Sequence, residues 1–115
     1  MNEKLLKGQM VGGIVQGIGT AVSEELIYNA EGKLLTRNFV DYKIPTIQDL
    51  PKEIELHYVE TPQLDGPYGA RGCAEHPMIS ITSVIGNAIA DATGVEIMDL
   101  PFSADRVYEA LQGMG

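Results

Sequence analysis

Between residues 8 and 26, Val11, Ile14, Val15, Ile18 and Val22 recur at the three- and four-residue spacing of one helix face. Gly13, Gly17 and Ala21 lie four apart in the same stretch and share a second stripe. Each glycine costs a helix about 1 kcal/mol relative to alanine, and five fall here: Gly8, Gly12, Gly13, Gly17 and Gly19. A helix carries such a load when another backbone or a ligand must come close. The pattern therefore predicts a buried helix with a bare face.

The spacing then changes. Leu26-Ile27-Tyr28, the polar turn Asn29-Ala30-Glu31-Gly32 and Lys33-Leu34-Leu35-Thr36 predict a β-hairpin. Residues 37–52 hold Pro45 and Pro51 and read as an extended connection. Ile54, Leu56 and Tyr58 alternate with Glu53, Glu55 and His57, the period of a half-exposed strand. Residues 61–78 form a long Gly/Pro loop, a kind of segment that is usually functional or disordered. Ile81, Val84, Ile85, Ala88, Ile89 and Ala92 mark a helix that Gly94 stops. Val95 to Leu100 reads as a short strand ended by Pro101. Ser103 caps a last helix with the stripe Ala104, Val107, Tyr108 and Leu111, ending at Gly113. Helices and strands mix without a βαβ rhythm, so the expected class is α+β, one domain over residues 1–115.

Composition narrows the function. Of 115 residues, 44% are hydrophobic, enough to expect a packed core. Sixteen acids against eight Lys and Arg give a formal charge of −8, with no basic stripe. Nucleic acid and anionic membrane surfaces are thereby disfavoured as partners. The longest weakly polar run, Met10 to Val22, is shorter than the ~20 residues of a membrane span. A lone cysteine, Cys73, precludes an internal disulfide and suits a reducing, cytoplasmic compartment.

The loop concentrates the chemistry. Glu75 reads either as a general base or as a solvated or helix-capping acid. Gln9, ahead of the first helix, can donate and accept at once; it is a ligand contact or a surface glutamine. Arg71 can orient a substrate or close a salt bridge. Cys73 and His76, three apart, raise a metal site or a cysteine nucleophile. Zinc needs three or four protein ligands, and the chain has one Cys and two His. A small packed cysteine and a loop histidine are the simpler account, and no metal site is assigned to protein ligands.

Four stretches resemble, in order, the large subunit of the molybdenum hydroxylases, the xanthine dehydrogenase and aldehyde oxidase family. They are Gly8-Gln9-Met10-Val11-Gly12-Gly13-Ile14-Val15-Gln16-Gly17-Ile18-Gly19 continuing to Glu24-Glu25-Leu26, and Asp41-Tyr42-Lys43-Ile44-Pro45-Thr46. The third is Gly66-Pro67-Tyr68-Gly69-Ala70-Arg71-Gly72-Cys73-Ala74-Glu75-His76-Pro77, similar to the loop ending in the family's Gly-Glu-Pro-Pro. The fourth is Ala88-Ile89-Ala90-Asp91-Ala92-Thr93-Gly94 with Leu100-Pro101. Ala74 and His76 depart from the family's glycine and proline beside the glutamate, which bears on substrate preference and activity.

The resemblance implies the C-terminal part of a molybdenum-cofactor-binding domain. It implies an oxidoreductase that hydroxylates an aldehyde or a purine-like N-heterocycle, with Glu75 as the base. Gln9, Gly8 and Gly12 would contact molybdenum–molybdopterin, and Arg71 the substrate. The expected partners are the remainder of the molybdenum-binding subunit, iron–sulfur and FAD subunits or domains, and a small-molecule substrate. The family's upstream cofactor-binding segments are not in this sequence, so the chain alone is expected to lack cofactor and activity. The alternative is a non-catalytic assembly domain that binds sibling subunits.

Overall fold

The computed structural model describes residues 2–113. Three helices carry it: α1 Glu3–Val22, α2 Ile81–Thr93 and α3 Ala104–Gln112. Single 3-10 turns stand at Ile47–Asp49, Pro67–Gly69 and His76–Met78.

α1 begins ahead of the apolar pattern because Asn2 caps it, its side chain accepting the Leu5 N–H at 3.2 Å. An exposed Glu3–Lys7 pair at 2.7 Å adds modest i,i+4 support to the first turns. The helix stops at Val22 rather than 26, where the Ser23 and Glu24 N–H groups both turn back to the Gly19 carbonyl. Gly13, Gly17 and Ala21 are buried, as the stripe predicts. They face this chain's own 76–78 turn and α2. α2 ends at Gly94 in the left-handed conformation, φ 75°. α3 is capped by Ser103, whose hydroxyl accepts the Arg106 N–H at 3.4 Å.

Downstream segments fold back on the end of α1. The Tyr42 hydroxyl donates to Glu24 at 3.0 Å, and the Ser23 hydroxyl to the Lys43 carbonyl at 2.8 Å. Pro45 lies so close that a Cβ on Gly19 would stand 2.8 Å from its ring. Arg106 of α3 pairs with Glu25 and donates to the carbonyls of Leu100 and Pro101. The Phe102 N–H donates to the Ala21 carbonyl at 2.6 Å. The Tyr-Lys-Ile-Pro segment and the start of α3 thus anchor on the same helix end.

The α+β expectation is corrected: among the described residues there is no strand. The expected hairpin is reduced to one antiparallel bridge, Tyr28–Leu34, around a turn with Gly32 at φ 76°. Residues 53–60 and 95–100 carry no ladder. Alternation identifies a half-exposed face, but a strand also needs a neighbour for its N–H and C=O groups. No described segment supplies one.

The expected packed core is also corrected. Among the described residues the buried apolar side chains are only those of Ala21, Val95 and Pro101. The radius of gyration is 17.8 Å, against about 13 Å for a globular chain of this length. The accessible surface is 8941 Å², against roughly 6,100 Å² for a folded monomer of this mass. Val84, Tyr108 and Leu111, which periodicity turns inward, are 57%, 63% and 40% exposed.

Candidate functional site

The site forms where the N-terminal half of α1 meets the loop before α2. α1 presents two glycine faces. A Cβ on Gly13 would meet Pro77 at 3.1 Å, and one on Gly17 would meet Ile81 at 2.5 Å. A Cβ on Gly8 or Gly12 would meet nothing within 4 Å. At 3.6 residues per turn, Gln9 stands at the border between the packed stripe and the open one.

From there the Gln9 side chain crosses to the loop. Its Nε2 donates to the Ala74 carbonyl at 3.3 Å, joining residues 65 apart in sequence. Glu75 follows. Its backbone carbonyl accepts the Met78 N–H at 2.9 Å and starts the 76–78 turn, but its carboxylate caps nothing. The helix-capping account of Glu75 therefore fails, and the side chain is exposed. Asn2, Leu5, Leu6, Gln9 and Cys73 line a shallow cavity of about 250 Å³ between the start of α1 and the loop.

The loop ahead of Glu75 is held by its own turns. Gly69 N–H donates to Gly66 and Ala70 N–H to Pro67, each at 3.0 Å. Tyr68 sits between them in the left-handed region, φ 54°, fully exposed. A non-glycine residue there costs on the order of 1–2 kcal/mol. Nothing in the residue pattern singled Tyr68 out; the stretch read only as a Gly/Pro loop, without showing which residue takes positive φ. Arg71 donates to the Thr61 hydroxyl at 2.8 Å and makes no ion pair among the described residues.

Cys73 is half-buried and His76 exposed. Among the described residues no three His, Cys, Asp or Glu side chains gather as a metal site. A larger depression of about 450 Å³ lies between α2 and residues 96–102, away from Gln9 and Glu75.

The open face fits one edge of a pterin. Gln9 spends one N–H on Ala74 and keeps an amide oxygen and a second N–H. Gly8 and Gly12 leave room for a flat group to approach the helix. Sequence reasoning named these three residues and Glu75 separately; the fold brings Gln9 and the Glu75 loop together. It missed the Ala74 carbonyl as the link, because a backbone acceptor has no residue signature.

Residues 1–51 match the molybdopterin cofactor-binding domain family model, a stretch that ends before the Glu75 loop. The chain is 41% identical over 110 residues to the xanthine dehydrogenase molybdenum-binding subunit of Escherichia coli O157:H7, covering 95% of this chain and 14% of that one. It is 40% identical over 111 residues to the aldehyde oxidoreductase of Megalodesulfovibrio gigas, covering 96% of this chain and 12% of that one. The crystal structure of quinoline 2-oxidoreductase from Pseudomonas putida 86 superposes with a TM-score of 0.89 at 35% identity, over 96% of this chain and 14% of that one. The chain thus spans about 14% of the length of such relatives. Among the described residues no helix is long and apolar enough to cross a membrane. Sequence and fold together place the chain in the molybdenum hydroxylase family of xanthine dehydrogenase and aldehyde oxidoreductase, as a segment of the molybdopterin-binding large subunit.

Proposed function

We propose that this segment supplies the general base, Glu75, and one wall of the cofactor pocket to an enzyme that oxidatively hydroxylates an aldehyde or a purine-like N-heterocycle. The observation that carries the proposal is the Gln9–Ala74 hydrogen bond, which ties the residue before Glu75 to α1 at the border of its open glycine face. When bound, molybdenum–molybdopterin supplies a Lewis-acidic centre and a two-electron oxidant. Gln9 presents its free amide atoms to the pterin edge, and Gly8 and Gly12 let that edge lie close. Glu75, exposed and uncommitted to any cap, accepts a proton from the forming nucleophile. Arg71, without a carboxylate partner among the described residues, orients the substrate.

Residues 1–115 then form the C-terminal part of a cofactor-binding domain. The rest of the subunit covers the apolar surface, and iron–sulfur and FAD subunits or domains take the electrons. The compartment is the cytoplasm. In the complete enzyme Glu75→Gln keeps the shape of the side chain and removes its basicity at neutral pH. Single-turnover reduction by substrate should slow by about 10²–10⁴-fold, with molybdenum content unchanged. Reduction at the wild-type rate would refute the assignment of Glu75.

A further inference from the structure

The stripe that packs α1 against α2 also runs alongside Glu75. Gln9 and Gly13 are four apart on α1, so they are neighbours on one helix face, with Cβ positions about 5–6 Å apart. Gln9 holds the Ala74 carbonyl at 3.3 Å. Gly13 receives Pro77, whose Cβ would lie 3.1 Å from an added Cβ, with the Met78 nitrogen at 3.4 Å. The two anchors on the loop, Ala74 and Pro77, flank Glu75 and His76. Between them the backbone is further fixed by Met78 N–H to the Glu75 carbonyl, 2.9 Å, and Ile79 N–H to the His76 carbonyl, 3.3 Å.

We infer that Gln9 and Gly13 are positioning residues for Glu75: the Gln9 amide pins the peptide before it, and the bare Gly13 seats the proline after it. The inference rests on Glu75 being the base, as proposed above. A carbonyl oxygen can only accept, so the Ala74 contact dictates which end of the Gln9 amide faces the loop. The free Gln9 oxygen is thereby aimed away from Ala74. One side chain then sets both the pterin-facing acceptor and the register of the base. A cofactor contact alone would need no bond to Ala74.

The test uses the complete cofactor-loaded enzyme with Gln9→Met, similar in length but without a donor, and with Gly13→Ala as a second variant. Molybdenum content is measured first, and rates are expressed per bound molybdenum. Loss of positioning predicts a single-turnover rate per bound molybdenum lower by on the order of 10–100-fold, expressed in kcat with KM little changed. A crystal structure of Gln9→Met should show residues 74–76 displaced. In a Glu75→Gln background the further loss from Gln9→Met should largely vanish, since both changes act through one carboxylate.

An unchanged rate per molybdenum overturns the inference, whether or not molybdenum content falls. The same fold loss in both backgrounds also overturns it. Both results leave the Glu75 assignment standing if Glu75→Gln alone is slowed by about 10²–10⁴-fold. A wild-type rate for Glu75→Gln alone removes the base itself.

Discussion

Gly17 of α1 and Ile81 of α2 approach so closely that a Cβ on Gly17 would stand 2.5 Å from the Cβ of Ile81. The atom it would meet is the branch point at the start of α2, not the end of a flexible side chain. The glycine therefore sets the distance between the two helices, and through the 76–78 turn it sets the height of the Glu75 loop above α1.

Gly17→Ala should destabilise the subunit by about 1–3 kcal/mol through overpacking, after any gain in helix propensity. Gly12→Ala should do the opposite in cofactor-free protein, gaining up to about 1 kcal/mol, because a Cβ there meets open space. Denaturant unfolding of the two variants checks the pair. On the proposed function, Gly12→Ala should also lower molybdenum retention. Equal stability effects would mean that the two glycine faces are not distinct.

Tyr42 and Glu24 make the fold-back of residues 42–45 sensitive to alkali. The Glu24 carboxylate accepts the Tyr42 hydroxyl and holds the phenol above its ordinary value of 10.0, with burial adding to the effect. A raised folded-state value means the contact contributes fully below the ordinary pKa and is lost as pH rises through the elevated one. Phenolate absorbance should show two tyrosines, Tyr42 and Tyr58, ionising later than the others, Tyr58 because its hydroxyl is held by the Glu3 carboxylate. Tyr42→Phe should remove one of the two late steps and flatten the corresponding fall in stability. Two late steps surviving in Tyr42→Phe would assign them elsewhere.

Arg106 ties α3 to two places at once, Glu25 at the end of α1 and the carbonyls of Leu100 and Pro101. Both members of the ion pair are about one-third exposed, so solvent screens it, and charge-assisted bonds to carbonyls carry much of the effect. Arg106→Ala should cost roughly 1–3 kcal/mol and raise hydrogen exchange across Ala104–Gln112. Glu25→Gln should cost less, since the carbonyl contacts remain. The reverse order would show that the ion pair dominates.

The isolated 115-residue chain should associate with itself or with hydrophobic probes. Phe39, Ile47, Val59, Leu64 and Met98 are each more than 80% exposed. Apolar surface left open on that scale seeks a partner. Light scattering should show assemblies larger than a monomer that disappear when the segment is part of the whole subunit. A monodisperse monomer at high concentration would mean that the chain repacks into a more compact shape on its own.

Part of this fold was legible because local rules decide it. Ser103 and Gly94 are capping residues whose effect reaches only a turn, and the ends of α3 and α2 fall beside them, whereas the start of α1 at Asn2 lies ahead of the apolar pattern and was not read. That residues 26–36, 53–58 and 95–100 would form no strand was not legible. Period-two patterning in Ile54, Leu56 and Tyr58 records that one face meets something apolar, and leaves open whether that face lies in a ladder. The site was legible in its components, Gln9 and Glu75, and not in its connection, a side-chain amide on a backbone carbonyl.

By itself the sequence determined three helices, the Ser103 and Gly94 ends, the glycine positions of α1 and the family motifs, since these depend on neighbours within a few residues. Only the tertiary structure decided which stripe is closed and which is open. Gly13 and Gly17 are filled by Pro77 and Ile81, while Gly8 and Gly12 stay free. Both stripes have the same four-residue period, so periodicity cannot rank them; the choice depends on where a segment more than sixty residues away comes to rest. Burial was decided the same way. Val84, Tyr108 and Leu111 lie on apolar stripes and remain exposed among the described residues, because a helix face is buried only when something packs on it.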